Sequence, residues 1–540
     1  MDSLPQPKLG IRALPRRQIV LTMAGVLMAM FMSSLDQTIV DTAMPRIIVD
    51  LNGFAHYTWV ITIYIITSAI TIPIIGKLTD MYGRKPFYIA GIVIFTIASF
   101  LSGLSQSMMQ LIIFRGIQGI GAGVMIANAF TVIADIFPPA ERGKYQGIIS
   151  AVFGLSAIIG PSLGGFITDT LSWHWIFFVN VPIGTAVVIL FVLFFPDIRP
   201  APGHHHQVDY SGIITLSGGV TALLLALSWG GSEYPWSSFP VIGLLVLFVA
   251  LLASFLYIET KSREPIIPLS LFGNRIVAVS GIVVFLTAFG MFGAITFVPL
   301  FFQGVLGATA TASGGFLTPM ILGQVSGSFT SGQLLSRAGG HYRIQGFVGL
   351  LLVCTGTFLL SRMSVETGYG TAVINIIMTG FGLGMTFPLY TIAVQNTVPY
   401  SMLGVATSSV PFIRSIGASV GLAIFGSTMT SRFAAEFTGN LSPALKAILP
   451  ASQIDSLASN PQVLISTASQ AELKNLLMQA SPQGNQLFIQ LQEILRQALS
   501  SALREVFIIS LITAGVALGV HLFIKEIPLR KEHSNAEPAN

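Results

Sequence analysis

Long apolar runs alternate with short polar turns along almost the whole chain. The runs fall at about 18–42, 56–77, 86–104, 108–132, 145–167, 175–195, 211–229, 239–258, 277–301, 312–335, 343–362, 370–397, 404–428 and 503–525. Each is close to the ~20 apolar residues that an α-helix needs to cross a hydrocarbon core of about 30 Å. Lipid offers no partner for free backbone groups, so a spanning segment must be a helix or part of a closed barrel. Barrel strands read as alternating stretches of about ten residues, unlike these continuous runs. The pattern therefore predicts an all-α integral membrane protein with fourteen spans.

Composition and charge sharpen this. Of 540 residues, 53% are hydrophobic and only 9% charged, with a mean hydropathy of +0.77. Soluble domains carry about 25% charge, so most of this surface must face lipid. The single Cys354 excludes internal disulfides and a cysteine metal site. The first apolar run is too long for a cleavable leader and lacks a small-residue cleavage site. An even number of spans puts both termini on one side of the membrane. With the termini inside, the inner segments hold 18 Lys and Arg, the outer segments 6, and the short outer loops only 2. The excess of basic residues on cytoplasmic loops thus predicts cytoplasmic termini in a plasma membrane. The net charge of +5 follows from this placement and does not indicate a nucleic-acid partner.

Four charges cluster in one short turn, Gly76-Lys77-Leu78-Thr79-Asp80-Met81-Tyr82-Gly83-Arg84-Lys85-Pro86, between the second and third runs. The turn resembles the loop between spans 2 and 3 of the major facilitator superfamily, matching it at Gly76, Leu78, Asp80, Gly83, Arg84 and Lys85. That resemblance implies two six-helix bundles. With fourteen runs, the pair 211–229 and 239–258 is left over between them, flanked by the polar, proline-bearing linkers 196–210 and 259–275. The expected organisation is 1–195 for the first bundle, 196–276 for the linker with two extra spans, and 277–540 for the second bundle. Gly332-Gln-Leu-Leu335-Ser-Arg337-Ala-Gly339 is a degraded copy of the Gly76 turn without the acid, in keeping with repeated halves. His204, His205 and His206 lie in the first linker; consecutive histidines point in different directions, which argues against a metal site.

Span 1 carries two acids in Leu35-Asp36-Gln37-Thr38-Ile39-Val40-Asp41-Thr42-Ala43-Met44-Pro45. A carboxylate at the bilayer centre costs about 2.5–3.5 kcal/mol on insertion scales and usually faces the bundle interior or a water-filled cavity. The segment resembles the L-D-x-T-I-V-N-x-A-x-P signature of the fourteen-span drug:proton antiporters of that superfamily. Asp36 takes the signature position and Asp41 replaces an Asn, about 7–8 Å further along the helix. Which acid carries protons and which meets substrate is open at this level. In span 4, Arg115-Gly116-Ile-Gln118-Gly119 resembles the superfamily segment whose Arg is associated with proton transfer. Guanidinium keeps its proton, so Arg115 would act by tuning Asp36 or Asp41, or as a structural ion pair. In span 5, Ser156-Ala-Ile-Ile-Gly160-Pro161-Ser-Leu-Gly164-Gly165 resembles the antiporter motif, with Ser156 where Gly is commoner. Small residues there let backbones approach, and Pro161 removes one backbone donor. Arg414 in span 13 reads as gating, structural or substrate-binding. Asp135 and Glu505 fall at span ends and are expected at the interface.

Within the turn, Asp80 near the end of span 2 is expected to accept hydrogen bonds from the N-terminus of a helix in the other half, locking the outward-facing state. Arg84 would orient Asp80, and Lys85 would hold the turn at the lipid headgroups. No Walker A loop is present, so ATP coupling within this chain is not expected. The family resemblance implies a non-enzymatic, monomeric, proton-coupled exporter of amphipathic drugs or toxic compounds, cationic ones among the candidates, that works by alternating access and needs no cofactor beyond the proton gradient. Asp36, Asp41 and Arg414 are the candidate substrate contacts, and membrane lipids are the surroundings. The long outer segment 430–502 supports an alternative, the export of lipids or lipid conjugates. Within it, Leu487, Leu491, Ile494, Leu495 and Leu499 recur at helical spacing without Gly or Pro. This predicts that span 14 continues outward as one rod, partnered by 441–449 or 470–479.

Overall fold

The computed structural model describes residues 14–51, 56–197, 207–307, 310–337, 341–464 and 466–530. His204–His206 and Gly339 lie outside them. The first bundle comprises α1 (Arg16–Asp50), α2 (Tyr57–Tyr82), α3 (Arg84–Gly103), α4 (Met108–Ile136), α5 (Pro139–Thr170) and α6 (Asn180–Phe194). Two helices follow, α7 (Tyr210–Trp229) and α8 (Phe239–Lys261). The second bundle comprises α9 (Arg275–Leu300), α10 (Ala310–Arg337), α11 (Tyr342–Ser361), α12 (Tyr369–Thr397), α13 (Leu403–Asn440) and α14 (Gly484–His521). Among the described residues, thirteen helical segments are long and apolar enough to cross a membrane. The fourteenth expected span corresponds to α10, which has the length, 28 residues, but is rich in Gly, Ser and Thr. Its neighbours explain that composition: α10 packs against α12 in its own half and α5 in the other. Small residues serve close helix contact there instead of lipid solvation.

The two bundles meet at the end where α1 begins and α14 ends. There α2 crosses α13 and α5 crosses α10. Each crossing is made through a facing pair of glycines. A Cβ on Gly404 would lie 2.6 Å from the Gly76 carbonyl oxygen, and Cβ atoms on Gly143 and Gly332 would each strike the other's carbonyl. Gly332 opens the degraded copy of the Gly76 turn, so the repeat places one glycine of each half against a glycine of the other. The second crossing adds a hydrogen bond of 2.7 Å from Ser328 to Ser150.

The extra pair packs on both bundles, with α7 against α2 and α13. Trp229 meets Trp59 of α2 edge-on with ring centroids 5.8 Å apart, and Trp236 donates to Ser427 of α13 at 3.2 Å. Beyond the opposite end of the bundles, α13 and α14 both run on as unbroken helices of 38 residues. The short helices Pro443–Ile448, Ala451–Ser459 and Thr467–Ala480 lie between them. Leu445, Leu477, Leu491 and Leu499 are fully buried in a core that also takes Phe433 and Phe437 of α13. The rod expected from the leucine stripe is present, and its partners include both expected segments together with the extension of α13.

Candidate functional site

Asp36 is fully buried where α1 meets α4 and α6. Its Oδ2 forms a tight ion pair with Arg115. Its Oδ1 accepts from Gln118 Nε2 at 2.8 Å and from Asn180 Nδ2 at 2.9 Å. Arg115 also donates to Gln118 Oε1 at 2.8 Å and lies 4.2 Å from the centre of the Tyr64 ring, a cation–π arrangement. Asn180 Nδ2 reaches Ser99 Oγ at 3.1 Å. The cluster is charge-balanced. Arg115 Nε and Asn180 Oδ1 are nevertheless buried without a partner among the described residues, so it holds unused hydrogen-bonding capacity. An acid so satisfied can take a proton only if Arg115 finds another partner, because an unpaired buried guanidinium is strongly unfavourable.

Asp41 is separated from this cluster. Five residues further along α1, it has turned to a different face, is exposed, and makes no hydrogen bond or ion pair among the described residues. The two span-1 acids thus occupy different environments.

The span-5 motif forms the α1–α5 contact. Cβ atoms on Gly160 and Gly164 would collide with the side chains of Thr38 and Thr42, whereas Gly165 faces open space. Thr38 donates to the Ser156 carbonyl at 3.2 Å, and Pro161 is exposed on α5. Ser156, the departure from Gly, is fully buried and donates to Val152 O at 2.9 Å.

At the terminal face, Asp80 closes the α2–α13 crossing. Its two carboxylate oxygens accept from the backbone N–H groups of Gly404 and Val405, both at 2.9 Å, in the first turn of α13. Those groups have no partner within the helix, and the positive end of the helix dipole favours the charge. Gly83 connects α2 to α3 at φ 94°, a conformation that suits glycine. It brings Arg84 back onto Asp80 at 2.6 Å and onto Asp135 at 3.1 Å. Asp135 is therefore fully buried and ion-paired. The interfacial position expected from its place near a span end is corrected by the Arg84 contact. Glu505 is partly exposed and pairs with Arg432 at 2.9 Å. Lys85, expected at the headgroups, instead donates to the carbonyls of Val192 and Phe195 at 3.2 and 3.0 Å, capping the end of α6.

These helices match the model of the major facilitator superfamily over residues 26–422. The chain belongs to this superfamily. It is 40% identical over 520 residues to the multidrug transporter protein MdtP of Bacillus subtilis, covering 95% of this chain and 94% of the relative. Multidrug resistance protein 3 of the same organism is 36% identical over 520 residues, covering 96% and 97%. The human organic anion transporter MFSD10 shares the fold, with a TM-score of 0.58 at 12% identity, covering 93% of this chain and all of that one. The protein is a membrane transporter of the major facilitator superfamily.

Among the described residues of this transporter, no group of three or more His, Cys, Asp or Glu could hold a metal ion. Arg414 of α13 stands apart from Asp36 and Asp80. Its guanidinium lies 3.9 Å from the centre of the Phe387 ring of α12. Sequence reasoning assigned no role to Gln118, Asn180 and Tyr64 around Asp36, or to Arg142 and Gln395 at the interface of the halves. Arg142 donates to Ala134 O at 2.7 Å and to Gln395 Oε1 of the other half at 3.3 Å. Neutral amides in apolar helices were the available signal, since lipid tolerates them only when they are paired.

Proposed function

We propose that this transporter is a proton-coupled exporter of amphipathic drugs working by alternating access. The observation that carries the reading is the buried Asp36–Arg115 pair with its spare hydrogen-bonding capacity. Such a pair fits a carboxylate that exchanges a proton when the neighbouring guanidinium shifts. The multidrug names of the relatives at 36–40% identity support the substrate class. On this reading both termini are cytoplasmic, in line with the basic residues on the inner loops. The Asp80–α13 contact then closes the cytoplasmic side, and the state described is outward-facing. The test is dye uptake into inside-out vesicles under an imposed proton gradient. The reading expects uptake that collapses with an uncoupler; uptake indifferent to the gradient refutes the coupling.

Export of lipids is the second reading, favoured by the ordered extension between α13 and α14. Against it, the two multidrug relatives align over 95% and 96% of this chain, a span that must include most of the extension. The extension is therefore compatible with drug export, and the drug reading is preferred.

A further inference from the structure

We infer that Arg414 is an anion-recognition site, and that the substrates of this transporter include amphipathic molecules with an aromatic body and an acidic group. The inference deepens the exporter reading and rests on it only for the direction of transport. Arg414 is the eleventh residue after Leu403, about 16 Å along α13 at 1.5 Å per residue, near the middle of a core about 30 Å thick. A cation at that depth is costly and is normally paired. Arg115, the other deep arginine described above, has Asp36. Arg414 has no acid or hydrogen-bond acceptor among the described residues, only the Phe387 ring.

The pocket around it is selective in its donors. It is lined by Thr287 and Met291 of α9 and by Leu383, Thr386, Phe387 and Tyr390 of α12, with Arg414 of α13. The polar groups other than Arg414 are already engaged. Thr287 donates to Val283 O at 2.7 Å, Thr386 donates to Leu383 O at 2.7 Å, and the Tyr390 hydroxyl is bound to His521 at 2.9 Å. Arg414 is thus the group with N–H donors left to offer. The planar guanidinium matches a carboxylate or sulfonate in a bidentate pair. The space these residues enclose is about 10 Å³ in this state, so the aromatic body of a ligand reaches Phe387, Leu383 and Met291 only once α9, α12 and α13 have moved apart during the transport cycle.

The charge balance of the deep sites favours an anion over a cation here. Asp36 is neutralised by Arg115, so the exposed Asp41 is the acid of span 1 left to attract a cation, and it lies in the first bundle. Arg414 lies in the second. A zwitterion could satisfy both, but the acid-bearing end is the one the Arg414 pocket requires.

The test compares a rhodamine bearing a free carboxylate with its ethyl ester. Binding of each to purified full-length protein is measured by fluorescence anisotropy without any gradient, so the result is independent of proton coupling. The free acid is expected to bind more tightly to the wild type. Arg414→Gln is expected to weaken the acid at least about tenfold, as for loss of a charge-assisted hydrogen-bond pair, and to leave the ester unchanged. Arg414→Lys should retain part of the preference. Equal weakening of acid and ester, or no change in either, would overturn the assignment. Added phosphatidylglycerol separates two sources of the acidic group: indifference of acid binding supports a small-molecule ligand, whereas its displacement would assign the site to a lipid headgroup. Uptake of both dyes into inside-out vesicles, run separately, tests the exporter reading on its own.

Discussion

Gly76 of α2 and Gly404 of α13 face one another so closely that a Cβ on Gly76 would lie 2.9 Å from the Gly404 carbonyl oxygen and would also strike Ser408. This contact lets Asp80, one turn further along α2, reach the free N–H groups of α13. A close backbone crossing and a charged cap are thus stacked at one place between the halves.

Gly404→Ala should therefore oppose this closed arrangement. Overpacking costs about 1–3 kcal/mol, and every 1.4 kcal/mol moves a two-state balance about tenfold. In a Cys354→Ser background, a cysteine at Ser150 reports the same face, since Ser150 lies 2.7 Å from Ser328 across the second crossing. Its maleimide labelling should accelerate when Gly404→Ala is added. Unchanged labelling would mean that the two crossings open independently.

Asp80→Asn should slow turnover while leaving substrate affinity intact. An amide offers one acceptor oxygen where the carboxylate offers two, and its NH2 would point at an N–H of Gly404 or Val405 or at Arg84. Hydrogen bonds to charged groups contribute about 1.5–3 kcal/mol, so the closed state should lose roughly tenfold or more in population. Stopped-flow efflux and equilibrium dye binding check the two halves of this expectation. A large fall in affinity at unchanged folding would place Asp80 in the pocket instead.

The sequence reading was strongest where lipid removes alternatives. Uninterrupted apolar runs had to be helices, and the stripe from Leu487 to Leu499 had to be covered. It was weaker where a side chain's partner lies far away in the chain. Asp135 looked interfacial from its place at a span end, but Arg84, 51 residues earlier, draws it into a buried pair. Lys85 looked like a headgroup anchor, yet the end of α6 supplies it with two carbonyls. The α10 segment carries too little hydropathy because its neighbours are other helices. Asp36 and Asp41 seemed a pair along one helix, and only the helical rotation between them separates the buried acid from the exposed one.

That separation makes Asp36→Asn a test of coupling against structure. Removing the acid leaves Arg115 buried and uncompensated, a loss of about 3–5 kcal/mol in comparable pairs. The single variant should therefore lose both proton-driven efflux and thermal stability. Asp36→Asn combined with Arg115→Gln removes both charges and should recover stability without recovering gradient-driven transport. If the double variant still exports in response to the proton gradient, Asp36 is structural. Asp41→Asn should leave stability unchanged, because Asp41 is exposed and makes no hydrogen bond or ion pair among the described residues.

The extension offers a final test, because its ends are already close. Ser442, just past α13, donates to Gln490 Oε1 of α14 at 3.3 Å. A short Gly-Ser linker can therefore join residue 442 to residue 490 in place of the segment between them. The base of the rod would be kept: Arg496 still holds the Val305 carbonyl at 2.9 Å, and Leu499 still packs over Gly304. The shortened protein should fold and export dyes at the normal rate if the extension lies outside the transport path. Loss of labelled-lipid export with dye export intact would instead support the lipid reading. A milder variant tests order within the extension. Leu491 is fully buried in its core, and Leu→Ala at such sites costs about 2–5 kcal/mol. Leu491→Ala should thus speed protease cleavage between residues 443 and 483, while α14 below residue 496 stays protected. Equally fast cleavage in the unmodified protein would contradict a packed extension.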